Sequence, residues 1–187
     1  MNDYVQPEFY RFNEDSLLLV KEIVSENPQA MSMLDIGAGS GIIGIELANK
    51  LHIPLVHFVE LQKEWEKYLL PNIKDQLKHA QSDVFWSSIG EWDPPMKYDL
   101  IVGNPPYYLP GKGKTSPDPI RGKCRMFLKD TWKVLLEKSV QSLSPGGSAW
   151  FVTLKENQNY IEKMASHLSL EVREQGELII IKLRSPE

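Results

Sequence analysis

Apolar positions along the chain alternate between two periods. Over 16–24, "SLLLVKEIV", they recur at helical spacing, and Asp15 or Ser16 stands where a helix is capped. "MSMLDIG" (31–37) is instead a short apolar run ending in glycine, the pattern of a buried strand. A helix over 41–51 and a strand over 54–61 follow. The next helical stretch, 62–80, contains Pro71, which is expected to kink or split it because proline removes a backbone donor and crowds the preceding turn. Strands are predicted over 80–86 and 97–104, a long amphipathic helix over 126–143, and a stop at "SPGG" (144–147). A strand over 148–154, a helix over 157–170 and a strand–turn–strand over 171–184 complete the chain. Strand and helix in alternation predict parallel βαβ units, hence a three-layer α/β sandwich, with the closing hairpin making one edge antiparallel.

Composition narrows this picture without redirecting it. At 187 residues, 42% hydrophobic and 25% charged, the chain is expected to be one globular domain, with 1–30 as an N-terminal cap segment. No run of about 18 apolar residues predicts a membrane span, and the N-terminus lacks the basic-then-apolar order of a signal peptide. A cytoplasmic protein without membrane contact is the expectation. Cys124 is the only cysteine, and His52, His57, His79 and His167 are scattered, so no metal site is expected.

Charge is unevenly placed. Between Gly111 and Lys138 eight basic side chains face three acidic ones, a balance of +5 in a chain whose net charge is −4. The loop at 109–125, rich in Pro, Gly and Lys, is therefore a candidate contact for a polyanion, through Lys112, Lys114 and Arg121 in particular.

The chemistry-bearing residues cluster at the predicted strand ends. "LDIGAGSGIIGIELA" puts Asp35 on the first strand, followed by Gly37, Gly39 and Gly41, which allow a tight turn and a close approach of backbone to ligand. Gly39, Gly41 and Gly44 also fit the dinucleotide spacing. Glu60 ends the second strand, where a carboxylate can accept from a ribose diol, and Asp83 is read as ending the third, where it can take an adenine amino proton. An acid, three glycines and two further acids suit an adenosyl ligand with an amino-acid tail. The set resembles the class I S-adenosylmethionine-dependent methyltransferases from about residue 30 to residue 184. The resemblance implies a Rossmann-like, seven-stranded sheet with a reversed last strand. It also implies S-adenosylmethionine as cofactor, S-adenosylhomocysteine as product, and a cofactor set of Asp35, Gly37, Ala38, Gly39, Gly41, Glu60, Leu61, Asp83, Val84 and Asn104.

The fourth predicted strand ends in Asn104-Pro105-Pro106-Tyr107. Adenine N6 and a glutamine amide nitrogen are poor nucleophiles, because their lone pairs are delocalised. The Asn104 side-chain oxygen and the Pro105 carbonyl can accept their two N–H groups, the prolines stiffen the turn, and Tyr107 can stack on a flat group. Tyr108 offers a second stacking surface, and Tyr10 and Phe12 can close over cofactor or base.

The motif resembles that of the amino-methyltransferases. Two families share it: release-factor glutamine methyltransferases and RNA adenine N6-methyltransferases. "YRFNEDSLLL" (10–19), Gly113, Ser116-Pro117 and Arg121 look more like the tRNA(Val) adenine N6-methyltransferase family, although Lys123-Cys124-Arg125-Met126 departs from that family's pattern. The expected partner is thus RNA, tRNA first, with a protein partner left open. The alternatives are release-factor glutamine methylation, methylation of single-stranded DNA, and a non-catalytic cofactor-binding subunit.

Overall fold

In the computed structural model, residues 4–7, 14–107 and 131–185 are described. Five segments become parallel strands: β1 (Ser32–Ile36), β2 (Leu55–Glu60), β3 (Gln81–Trp86), β4 (Tyr98–Gly103) and β5 (Leu143–Leu154). The closing segment forms β6 (Leu170–Gln175) and β7 (Leu178–Arg184), joined at Gly176, whose φ of 65° is readily adopted by glycine. The order across the sheet is β3-β2-β1-β4-β5-β7-β6, with β7 antiparallel to both neighbours. The seven-stranded, mostly parallel sheet with a reversed last strand is as expected.

Both faces of the sheet are covered, so the inner strands read as continuous apolar runs. One face packs Leu19 and Ile23 of α1 (Glu14–Glu26), Ile45 of α2 (Ile42–Leu51) and Leu69 of α3 (Glu66–Gln76) onto Met33, Val56, Leu100 and Val102. The other packs Trp132 and Leu135 of α4 (Trp132–Ser142) and Ile161 of α5 (Gln158–Met164) onto Leu34, Ile101 and Ile181.

Three expectations are corrected. Pro71 does not split its helix: α3 runs through it behind a 3₁₀ turn at Lys63–Trp65. The carbonyl that loses its donor belongs to Lys67, which is exposed and can be solvated. "SPGG" does not separate helix from strand, because β5 already starts at Leu143 and passes through it with a shift of register against β4. The helix read over 157–170 stops at Met164. The part of the long helix over 126–130 lies outside the described residues.

α1 is fastened at its C-terminal end. Glu26 pairs with Arg173 of β6 and with Lys182 of β7, and Glu22 lies 3.8 Å from Arg173. Lys182 is buried; its ammonium lies 4.4 Å, and the Arg173 guanidinium 5.2 Å, from the ring centroid of buried Trp150. Nearer the sheet centre, Asn72 of α3 donates to the carbonyls of Val5 and Ser40 and accepts from the Val5 amide, tying residues 4–7 to the loop after β1.

Candidate active site

The strand order reverses between β1 and β4, and ligands of open α/β sheets bind at the C-terminal edge of such a switch. Register fixes what stands there. Ile36 pairs with Val59, and Asp35 with Val102, so Glu60, Gly37 and Asn104 are level on three adjacent strands. Two strand spacings separate Glu60 from Asn104 along this row, about 10 Å. Gly103 sets the contact between β1 and β4, because a Cβ on it would lie 2.6 Å from the Ile36 carbonyl oxygen.

The loop after β1 is made by glycines in the left-handed region: Gly37, Gly39 and Gly41 have φ of 68°, 55° and 81°. Its amides are engaged by the protein itself. Gly37 and Ala38 donate to the Val59 carbonyl, Gly39 to Glu60 Oε2 at 2.9 Å, and Gly41 to the Ala38 carbonyl. What the loop offers is therefore space. A Cβ on Gly37 would meet nothing within 4 Å, whereas on Gly41 it would strike Leu69 at 2.6 Å.

Two buried acids underlie this loop. Asp35 accepts from the Gly44 amide at 2.9 Å through Oδ2, while its buried Oδ1 has no partner. Burial pushes its pKa up to about 7, with the Gly44 bond opposing and Glu60 adding to the rise. Glu60 accepts from Gly39 and, at 2.7 Å, from Gln62. Burial raises its pKa too, against the amides of Gln62, Gly39 and Leu61. Among the described residues neither acid is paired with a cationic side chain. The chemistry of this set, two buried acids without a cationic partner beside an open glycine turn, suits an adenosyl ligand that carries a sulfonium and an ammonium.

On the acceptor side, Asn104 Nδ2 donates to Ser16 Oγ at 3.1 Å, and the Tyr107 hydroxyl donates to Asp15 Oδ2. Asn157, buried beyond β5, donates to the Tyr107 carbonyl at 2.9 Å and to Thr153 Oγ1 at 3.0 Å. Pro105 is buried and Pro106 half-buried. Asp15 and Ser16 were read as helix caps and as part of "YRFNEDSLLL", but α1 includes both from Glu14, so neither caps it; Asn157 was read as a helix residue. No local pattern shows that all three converge on residues 104–107.

Asp83 and Val84 are not brought to this edge. Asp83 lies in the middle of β3 opposite His57, while Trp86 is the residue level with Glu60, so Asp83 sits about 10 Å back along the strand. Its carboxylate is 72% exposed and 3.5 Å from His57 Nε2, and Val84 packs against the core. The extent of the strand was read correctly, to residue 86; the error lay in treating Asp83, in its middle, as its end. The residues that follow β3 at the edge are Ser87, whose amide donates to the Glu60 carbonyl, and buried Ser88 and Ile89. Tyr10, Phe12, Tyr108, Lys112, Lys114 and Arg121 lie outside the described residues. Among those described, no cluster of His, Cys, Asp and Glu can hold a metal, and no helix is long and apolar enough to cross a membrane.

The family model for the methyltransferase small domain matches residues 10–181. A tRNA1(Val) (adenine(37)-N6)-methyltransferase of Pedobacter heparinus is 31% identical over 178 residues, 95% of this chain and 72% of that protein. The chain spans 57 to 60% of the length of four further proteins of that name. A release factor glutamine methyltransferase of Fusobacterium nucleatum is 35% identical over 98 residues, 50% of this chain but 25% of that protein. Among solved structures, a Thermus thermophilus 16S rRNA N2 G1207 methyltransferase in complex with AdoMet and guanosine superposes with a TM-score of 0.69 at 17% identity, covering 94% of this chain and 44% of that one.

Proposed function

This chain belongs to the methyltransferase small domain family, and from that premise we propose that it methylates an exocyclic amino nitrogen, adenine N6 of an RNA, with tRNA the first candidate. The observation that carries the reading is Asn104 standing level with Gly37 at the switch point, its amide nitrogen held by Ser16 and its oxygen accepting no bond among the described residues. S-adenosylmethionine, bound at the glycine loop, supplies an electrophilic methyl group on a sulfonium. Glu60 holds the ribose and Asp35 the ammonium end.

Asn104 Oδ1 and the Pro105 carbonyl accept the two N–H groups of the target amine and turn its lone pair toward the methyl carbon. Orientation of this kind can lower a displacement barrier by several kcal/mol, up to roughly 7–11 in the best cases. Asn104 is no base at neutral pH, so the proton leaves to water after transfer. The Tyr107 ring, fixed through its hydroxyl and its carbonyl, is the stacking face for the flat acceptor. The basic segment 109–125 contacts phosphates while the base is drawn out of its stack.

A transfer assay with radiolabelled cofactor tests this, offering small RNA, denatured DNA and release factor in parallel. N6-methyladenosine in RNA is the expected product. Label on release factor, or on DNA alone, would replace the RNA reading by the corresponding alternative.

A further inference from the structure

We propose that the first turn of α1 belongs to the acceptor machinery, with Ser16 and Asp15 acting as positioning residues for Asn104 and Tyr107. This rests on the function proposed above for the same site.

An asparagine side chain has two faces of opposite use. Turned one way it presents an oxygen that accepts the target N–H; turned the other way it presents an NH₂ group, donor against donor. A free amide at the end of a strand has little to choose between them. Here Ser16 Oγ accepts from Nδ2 at 3.1 Å, across 88 residues of sequence, with Oδ1 left for the acceptor; because a hydroxyl can also donate, what Ser16 fixes is the plane and reach of the amide, and the target's N–H groups then select the oxygen face. Ser16 is 7% exposed, so water does not compete well for its hydroxyl.

The adjacent Asp15 accepts from the Tyr107 hydroxyl, 92 positions away. A carboxylate in the first turn of a helix is itself favoured by the helix dipole, and a charged acceptor strengthens the phenol bond. Two consecutive residues thus grip both ends of the four-residue motif by side chains. From the opposite side, Asn157 grips it by the backbone. Neither Ser16 nor Asp15 touches the reacting atoms in this scheme; each acts through a motif residue.

The test uses the whole chain. Ser16→Ala is expected to lower kcat about tenfold, the order of one lost hydrogen bond, with cofactor Kd unchanged. Ser16→Thr, which keeps the hydroxyl, is expected to restore most of the rate. Asp15→Asn is expected to act mainly on KM for the acceptor. A second readout needs no acceptor, so it stands apart from the substrate assignment. The Asn104 side-chain amide signal, identified by its loss in Asn104→Ala, should exchange with water faster in Ser16→Ala than in wild type. An unchanged exchange rate overturns the proposal, as does an unchanged kcat or a parallel loss of rate and cofactor affinity. Failure to find N6-methylated RNA with an altered exchange rate would instead count against the substrate alone.

Discussion

Glu60 Oε2 lies 2.9 Å from the amide nitrogen of Gly39, so the acid that ends β2 also holds the middle of the loop that follows β1. Its other oxygen accepts from Gln62. Both bonds come from N–H donors, so a glutamine here must turn its own NH₂ toward one of them. Both Glu60→Ala and Glu60→Gln are therefore expected to weaken cofactor binding, by about 1–3 kcal/mol. Isothermal calorimetry measures this directly, and affinity equal to wild type in both variants refutes the ribose assignment.

Gly44 leaves no free room for a side chain. A Cβ on it would lie 2.6 Å from the Phe58 ring and 2.9 Å from Asp35 Oδ2. Gly44→Ala is expected to cost about 1–3 kcal/mol of stability by overpacking. A urea unfolding curve superimposable on that of wild type would contradict the predicted crowding.

Asp35 makes stability depend on pH in a stated direction. Its carboxyl, ordinarily near 3.8, sits at about 7 in the folded protein. The folded state therefore binds more protons than the unfolded chain between these values, and wild type loses stability as pH rises from about 4 to about 7. Asp35→Asn keeps an oxygen for the Gly44 amide and removes the titration. The difference in urea midpoint between the two proteins should move in favour of the variant from pH 5 to pH 8; a constant difference would show that Asp35 titrates normally.

Asn104→Ala removes the proposed acceptor of the target N–H without touching the glycine loop. Methyl transfer should fall below detection while cofactor affinity is nearly kept, because Glu60 and the rest of the implied cofactor set are untouched. Retained activity in single-turnover assays removes Asn104 from the mechanism.

Reversal of charge at Lys112, Lys114 and Arg121 tests the basic loop. RNA affinity should drop, and the slope of log K against log salt should flatten by about one for each phosphate that the variant no longer neutralises. A slope identical to wild type would mean that these side chains do not face the nucleic acid.

The fold was largely written in local pattern. β1, β2 and β4 are short apolar runs bounded by turn residues, and their strand ends carry the glycines, Glu60 and Asn104. Asp83 shows where local reading fails: the strand was read to residue 86, as found, but which of its residues lies level with Glu60 is fixed by pairing with β2, and that residue is Trp86, not the acid. Pairing register is a property of two segments, and neither carries it alone. Ser16 and Asn157 were hidden for the same reason, since their partners lie 88 and 50 positions away. The split expected at Pro71 was over-read: α3 is continuous through it, and the residue whose carbonyl it orphans, Lys67, is exposed.

α1 spans 13 residues, about 20 Å. Its first turn touches Asn104 and Tyr107, and its last turn is bolted to Arg173 and Lys182 on the closing hairpin. The helix thus links the closing hairpin to the acceptor side, although the two are remote from each other. Loosening Arg173 or Lys182 would free the far end of the same rigid rod whose first turn holds Asn104 and Tyr107, so a change on the hairpin can reach the acceptor side without touching it.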